Sequence, residues 1–403
     1  MKNILFLHTG AELYGADLIL LELLRGLDKS IYTPFVILPN EGPLANEIRK
    51  LDIKLYIYNY PILRRQYFTP FGILKYFIET IKSITYLLKF MKSNNIDIIH
   101  SNTLAVLEGG ILHSLTKKMH IWHVHEIIKE PKFLRSFYKK FVPKMSSKVL
   151  CVSNAVKDNI ISNNINPHNT KGVNTSHIRN INIKDSVAGN VDKVIVIHNG
   201  VNTDKFTFKK DFTLRQELSI PKDEILIGMV GRVNKIKGQS FFIDVAKRLL
   251  QDYNNVSFVL VGDAFKGKEY LMEDLLKESK DPLLKGKLHI KGFTRDTVSV
   301  YNNLDIFVLP SIKPDSLPTV VLEAMSCSLP IVANVTGGVS EMVENNENGF
   351  LIYNIDVNTM VERLRPLIEN KGLRESFGKR SRAIIEEDFA VSTFHKKINE
   401  IYL

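Results

Sequence analysis

Short apolar runs alternate with amphipathic segments along almost the whole chain. In the first half the runs lie at Ile4–Leu7, Thr33–Leu38, Leu55–Tyr58, Asp97–His100, His120–Val124, Val149–Val152 and Val194–Ile197. Helical patterns separate most of them. A parallel neighbour is reached only by crossing over, so such alternation predicts a parallel sheet with helices on both faces. After His198-Asn199-Gly200 a second series begins, at Ile225–Val230, Ser257–Val261, Leu288–Lys291, Ile306–Leu309, Pro330–Ala333 and Phe350–Ile352. A chain of 403 residues exceeds what one hydrophobic core usually serves. The expectation is an α/β protein with two Rossmann-like domains in tandem, meeting near residues 197–203.

The boundaries read as 1–197 and 198–385, with a last helical segment at 386–403. Residues 163–192 are rich in Asn, Ser and Lys and show no periodicity, which reads as a polar insertion loop in the first domain. The tail is helical in pattern from Arg363, with a break near Glu387–Ala390.

Charge is uneven. Residues 1–192 hold 25 Lys and Arg against 15 Asp and Glu, and the remaining 211 residues hold 29 against 28. An excess confined to one half points to an acidic partner: anionic lipid, nucleic acid or a phosphorylated acceptor. Cys151 and Cys327 are far apart, in apolar or small-residue surroundings, as in a reduced cytoplasmic protein. The opening MKNILFLHTG reads as a first strand rather than a secretion signal, and no run of 18 apolar residues occurs.

The most informative stretch is Asp305–Leu351. A strand runs into a loop carrying Asp315, then a helix start with Pro318 at its first turn, then Glu323. The amides of Thr319 to Val321 are expected open toward the strand end, where open α/β sheets bind ligands and helix N-termini favour phosphate. Amides for phosphate with flanking carboxylates for hydroxyls suit a nucleotide-activated sugar. In VGRVNKIKG, Gly231 ends a strand, and Arg232 and Lys237 follow as two cations able to converge on one diphosphate. Solvated surface cations are the plain alternative. TGAELYGAD after the first strand is a Gly-bearing turn in which Gly10 and Gly15 could admit a ligand. Trp122-His123-Val124-His125-Glu126 ends another strand. The two histidines are expected on opposite faces, with His125 by position able to reach a cleft; a satisfied structural histidine is the plain alternative. No Asp-x-Asp pair and no Cys/His cluster occurs, so metal-independent chemistry is expected.

The ordered set YGADLILLELL, DIIHSNT, HVHEI, CVSNAVK, HNGVNTDKF, VGRVNKIKG, LVGDA, KGF and DIFVLPS…NGFL resembles the retaining glycosyltransferases of family 4, the group 1 type. The likeness covers nearly the whole chain and is strongest over Lys193–Leu351. It implies a GT-B fold, with two Rossmann-like domains facing each other across a cleft. The family's acid-x7-acid motif falls on Asp315 and Glu323. By that resemblance Arg232 and Lys237 would bind the donor diphosphate and Glu323 the ribose hydroxyls. Ser316, Leu317, Pro318, Thr319 and Val320 would hold sugar and phosphate through their backbone, with Asp315 beside the transferred sugar. Gly231 belongs with the donor-binding residues, Phe293 lies where the base is contacted, Gly15 would line the cleft, and His125 would sit near the reacting sugar. Asp315 stands where Glu is usual, and Ser328 where relatives often carry Gly at a position wanting positive φ.

The expected function is retaining transfer of a hexosyl or N-acetylhexosaminyl group from a nucleotide-sugar, the co-substrate, to a hydroxyl of a lipid-linked or surface-polysaccharide intermediate. No cofactor is expected. The enzyme would be cytoplasmic, peripheral at the inner face of the membrane. The alternatives are a GT-B epimerase or phosphorylase and, from another class, a basic nucleic-acid-binding protein. The segment Phe71–Asn95 is amphipathic, with Ile78, Ile81, Leu88 and Met91 on its broad apolar face, and is expected to pack on the first sheet. Lys129–Lys148, with Lys132, Arg135, Lys139, Lys140 and Lys144 among Phe133, Phe137 and Phe141, is expected to rest on anionic lipid.

Overall fold

A computed structural model describes residues 1–161 and 191–403. The insertion read at 163–192 lies outside them except for its last two residues. The chain forms two compact units: Met1–His198 with Phe394–Leu403, and Asn199–Thr393.

The first unit is a seven-stranded parallel sheet ordered β3-β2-β1-β4-β5-β6-β7. Its strands are β1 (Lys2–Leu7), β2 (Tyr32–Leu38), β3 (Lys54–Ile57), β4 (Ile98–Ser101), β5 (Met119–Val124), β6 (Lys148–Cys151) and β7 (Val194–Val196). Each falls on an apolar run of the sequence. Along β1, Ile4 and Phe6 enter one buried cluster while Leu5 and Leu7 enter another. Alternate side chains leave opposite faces of a strand, so both faces of this sheet are covered, and that is why the runs are continuously apolar. The covering helices are α1 (Gly15–Arg25), α2 (Pro43–Arg49), α3 (Pro70–Ser93), α4 (Glu108–Thr116), α5 (Lys132–Phe141) and α6 (Asn154–Ile161).

The second unit has six parallel strands ordered β10-β9-β8-β11-β12-β13. They are β8 (Ile225–Val230), β9 (Val256–Val261), β10 (Leu288–Lys291), β11 (Ile306–Leu309), β12 (Ile331–Asn334) and β13 (Gly349–Ile352). Its helices are α7 (Thr213–Glu217), α8 (Gln239–Leu250), α9 (Tyr270–Glu278), α10 (Thr297–Asn303), α11 (Thr319–Ser326), α12 (Val357–Glu369) and α13 (Lys371–Ile384). Ser328 sits at φ 61°, the left-handed conformation its place after α11 requires.

A five-residue π turn, Ile385–Phe389, ends α13 and leads into α14 (Val391–Tyr402). From Phe394 onward the chain belongs to the first unit. Phe394, Ile398, Ile401 and Tyr402 are buried in one of that unit's clusters, each contributing about 1.5–3 kcal/mol. The Tyr402 hydroxyl bonds His100 Nδ1 at 2.8 Å. Lys148 Nζ donates to the Ile401 carbonyl at 2.8 Å, placing a cation at the helix C-terminus where the dipole favours one.

Strand order reverses between β1 and β4 in the first sheet and between β8 and β11 in the second. Ligands of doubly wound sheets sit outside the carboxyl ends at such points. His8 follows β1, Asn102 follows β4, Gly231 follows β8 and Pro310 follows β11.

The expectation that Phe71–Asn95 packs its apolar face on the sheet holds for only part of that helix. Ile84, Leu87, Phe90 and Met91 of α3 are buried, but Ile78 and Ile81 are exposed. The packing face of the N-terminal half carries other residues: Tyr76 meets the ring of Tyr67 at 4.9 Å, and Ser83 Oγ donates to Glu108 Oε1 of α4 at 3.2 Å.

Candidate active site

In the second unit the loops after β8 and β11 are tied together. Asn234 Oδ1 accepts from the amides of Ile236 at 2.8 Å and Lys237 at 3.0 Å, curling the loop after β8. The Ile312 amide then bonds the Ile236 carbonyl at 2.9 Å. Gly238 begins α8 at φ 78°, and a Cβ there would lie 2.0 Å from the Pro310 carbonyl oxygen. Only glycine permits that approach. The outcome is an ion pair between Lys237 Nζ and Asp315 Oδ2, with both side chains about four-fifths buried. Asp315 is held from behind: its carbonyl accepts from Gly338 N at 3.0 Å. Gly337, at φ 69°, is the second place where a Cβ would collide, 1.8 Å from that same carbonyl oxygen.

Arg232 is placed differently. Its guanidinium carbon lies 3.6 Å over the ring of Phe265, a stacked arrangement that suits a planar cation. The Arg232 carbonyl accepts from Gln239 Nε2 at 2.9 Å. Lys237 thus meets Asp315, whereas Arg232 meets an aromatic face.

Glu323 lies half-buried on α11. The Tyr301 hydroxyl donates to its Oε2 at 2.8 Å. Burial pushes this acid up to about 7, against the opposing pull of the Tyr301 bond and of Lys205. Leu317 and Pro318 are buried, while Ser316, Thr319 and Val320 are half-buried. The Val321 amide donates to the Pro318 carbonyl at 3.0 Å. Of the three amides expected to be open, Val321 is therefore already used in the first turn, leaving those of Thr319 and Val320. Gly231 is half-buried, and Phe293 is 61% exposed.

In the first unit His125 ends a chain of side chains. Asp17 Oδ1 lies 2.6 Å from His8 Nε2. Asn102 Nδ2 lies 3.2 Å from His8 Nδ1 and 3.1 Å from the Ala16 carbonyl, and its Oδ1 lies 3.2 Å from His125 Nε2. Burial, then the neighbouring His123 and His8, hold His125 well below the usual histidine range, so its ring is neutral. Its backbone amide is fixed by Glu126 Oε2 at 3.0 Å. Burial raises the Glu126 carboxyl to about 7.

The expectation that His123 and His125 point to opposite faces is wrong. Residues two apart along a strand share a face, and the two rings lie 4.2 Å apart between centroids. Gly15 is exposed at the start of α1, and an added Cβ there meets nothing within 4 Å. No close approach demands glycine at that position.

Sequence reasoning missed His8, Asp17, Asn102, Tyr301 and Phe265. His8 and Asn102 are signalled only by their place just after β1 and β4, the strands that flank the order reversal. Tyr301 and Phe265 carry no signal of their own.

The family model described as Glycosyl transferases group 1 matches residues 210–384, and that described as Glycosyltransferase Family 4 matches residues 14–175. The UDP-Gal:alpha-D-GlcNAc-diphosphoundecaprenol alpha-1,3-galactosyltransferase of Escherichia coli is 26% identical over 424 residues, covering 98% of each chain. The N,N'-diacetylbacillosaminyl-diphospho-undecaprenol alpha-1,3-N-acetylgalactosaminyltransferase of Campylobacter jejuni is 28% identical over 390 residues, covering 92% of this chain and 90% of that one. Anabaena HepE, solved in complex with UDP, matches with a TM-score of 0.79 and 23% identity, covering 100% of this chain and 99% of that one. That last likeness bears on fold alone. With one family model on each unit and two relatives matching over 90% or more of their length, this chain belongs to the family 4, group 1 type glycosyltransferases and has their GT-B fold.

Proposed function

We propose that this enzyme transfers a hexosyl or N-acetylhexosaminyl group from a uridine-diphosphate sugar to a hydroxyl of a diphosphate-linked lipid saccharide, with retention at the anomeric carbon. The observation that carries the reading is the ligand-poised end of β8 and β11. The Lys237–Asp315 pair, the first amides of α11 and the half-buried Glu323 all lie on the segments that follow two adjacent strands of one sheet. Support for the donor and acceptor classes comes from the E. coli and C. jejuni relatives, whose names specify diphosphoundecaprenol-linked saccharides and, in one case, UDP-Gal.

In this reading Asp315 is the counterion of Lys237 until donor arrives. The diphosphate takes Lys237, and the freed Asp315 carboxylate accepts from a hydroxyl of the transferred sugar. Arg232 meets the other side of the diphosphate. The amides of Thr319 and Val320 add fixed dipoles that need no reorganisation as charge builds on the leaving group. Glu323 has one oxygen held by Tyr301, and its other oxygen accepts from the ribose. The bond from the anomeric carbon to the β-phosphate oxygen breaks. The acceptor oxygen bonds the same face of that carbon, and its proton passes to the departing phosphate. His125, neutral, accepts a hydrogen bond from a sugar hydroxyl. The nucleotide-sugar is a co-substrate, and no cofactor enters.

The site of action is the inner membrane face, where a lipid-linked acceptor is held. Among the described residues no helix is long and apolar enough to cross a membrane. Neither the epimerase or phosphorylase reading nor the nucleic-acid-binding reading is favoured by any relative reported above. The experiment is a thermal-shift screen of UDP-, GDP- and ADP-sugars, followed by product analysis with a synthetic lipid-diphosphate N-acetylhexosamine. A rise in melting temperature with a UDP-sugar, and a disaccharide whose new linkage keeps the donor's anomeric configuration, are expected. Stabilisation by GDP- or ADP-sugars alone would replace the donor assignment. An inverted linkage would remove the front-face course.

A further inference from the structure

The N-terminal half of α3 is built inside out. Its protected side carries Gly72, Tyr76, Glu79 and Ser83. Its water-facing side carries Phe71, Ile73, Leu74, Phe77, Ile78 and Ile81, each between 45% and 78% exposed. These six recur at spacings of three and four, so they form one continuous ridge along the helix. A soluble surface helix has the opposite arrangement, and a contiguous exposed apolar face of this kind marks an interaction surface. The ridge extends beyond α3: Phe133 of α5 is 61% exposed and makes an edge-on ring contact with Phe68, just before α3, at 5.6 Å.

Cations border the ridge. Lys75, Lys82 and Lys89 stand seven residues apart along one edge of α3, all exposed. Lys132 and Lys140 are exposed on α5, a helix with no acidic residue. Among the described residues, the one ion pair made by these five is Lys75 with Glu79 at 3.9 Å. An apolar ridge edged by exposed lysines matches a bilayer whose headgroups are anionic and whose interior is hydrocarbon. A second copy of the chain would instead bring the same lysines to the contact without acids to meet them.

We infer that the exposed ridge of α3, with Phe133, is a docking surface for an anionic phospholipid bilayer, the helix lying flat with its apolar side chains among the acyl chains and its lysines at the phosphates. This assigns the inserting element to α3, with the basic helix α5 as its electrostatic flank. The surface is read from exposure and charge alone, so its test does not depend on the transfer reaction.

The test uses the full chain with two vesicle populations, phosphatidylcholine alone and phosphatidylcholine with about one-third phosphatidylglycerol. The chain's single tryptophan, Trp122, is buried, so an indole introduced by Phe77→Trp reports its own surroundings. Expected are co-sedimentation with the anionic vesicles, a blue shift of the Phe77→Trp emission, and its quenching by brominated acyl chains. The double variant Phe77→Ser, Ile81→Ser is expected to bind more than about ten-fold less, because it removes two large apolar groups from the acyl region. Both sites are exposed, and an unchanged melting temperature verifies the fold. Binding that survives the double variant, or an indole that stays water-exposed on anionic vesicles, overturns the inference. So does a wild-type dimer that the double variant disperses, since a second copy would then be the occupant of the ridge.

Discussion

The Ala16 carbonyl oxygen lies 3.1 Å from Asn102 Nδ2, and this contact fixes the tautomer of His125. A carbonyl can only accept, so the nitrogen of the Asn102 amide must face Ala16. The same nitrogen faces His8 Nδ1 at 3.2 Å, which must therefore accept. The His8 proton is left on Nε2, donating to Asp17 at 2.6 Å. At the other end Asn102 Oδ1 faces His125 Nε2 at 3.2 Å, so that nitrogen carries the His125 proton and Nδ1 remains the ring's acceptor.

Replacing Asn102 by Asp tests this chain. A carboxylate cannot donate to Ala16, and its charge favours a cationic His125. The wild-type ring is held neutral by burial and by neighbouring histidines, so its activity is expected to be insensitive to His125 titration. The Asn102→Asp enzyme is expected to lose activity as pH falls through the now raised His125 value, because the protonated ring has no acceptor left. A loss of about 10–100-fold in kcat/KM at pH 6 corresponds to one hydrogen bond to a polar sugar group. Histidine 15N shifts would show whether the ring has become cationic, and an unchanged neutral Nε2–H signal would refute the assignment.

Glu323 gives a prediction with a definite sign. Its carboxyl titrates near 7 in the folded chain against an ordinary value of 4.5. The folded state therefore binds the extra proton between those values, and its contribution to stability falls as pH rises from 4.5 to 7 and is level above. A ribose that donates two hydroxyls favours the ionised form. Nucleotide affinity is expected to be about ten-fold weaker at pH 6 than at pH 8, with proton release on binding. Calorimetry in two buffers of different ionisation enthalpy measures that release. Tyr301→Phe removes a bond that lowers the acid's value, so the affinity profile should move to higher pH. Glu323→Gln should flatten it, and should also lessen the loss of affinity caused by a 2′-deoxy donor.

The fold was legible in the sequence because burial on both faces of a parallel sheet leaves no alternation to misread. Most strands of both sheets lie on runs of apolar residues, from Ile4–Leu7 to Phe350–Ile352; the edge strand β10, Leu288-His289-Ile290-Lys291, alternates and is half-buried. The proposed donor end was partly legible, since Arg232, Lys237 and Asp315 follow strand ends and Glu323 lies on the helix that comes next. What was hidden depends on contacts between distant segments. Tyr301 reaches Glu323 from α10, and Phe265 reaches Arg232 from the loop after β9. The helix α3 was misread for a related reason. An amphipathic pattern shows that a helix has an apolar face, but not which side the rest of the fold will cover.

Transfer is expected to survive EDTA. Two cations, Arg232 and Lys237, stand at the proposed diphosphate site, and each can neutralise charge that a divalent ion would otherwise meet. Initial rates with excess chelator should equal those without it. Abolition by EDTA with recovery on adding Mg²⁺ or Mn²⁺ would assign that charge to a metal.

Arg232 and Lys237 are expected to fail in distinguishable ways. Lys237→Ala removes a charge whose partner in the resting protein is Asp315. Arg232→Ala removes one stacked on Phe265. Either loss should lower kcat at saturating donor by about 10²–10³, the usual effect of removing one contact made to developing charge. Melting temperature should move by less than about 4 °C in both, because neither side chain belongs to a core cluster. Phe265→Ala separates the two. It leaves the Lys237–Asp315 pair intact and frees the guanidinium from its aromatic support, so it should reproduce a milder form of the Arg232 defect. That defect should be absent when Arg232 is already Ala: the double variant should be no slower than Arg232→Ala alone. Additive losses in that cycle would show that Phe265 acts on the donor by itself and not by holding Arg232.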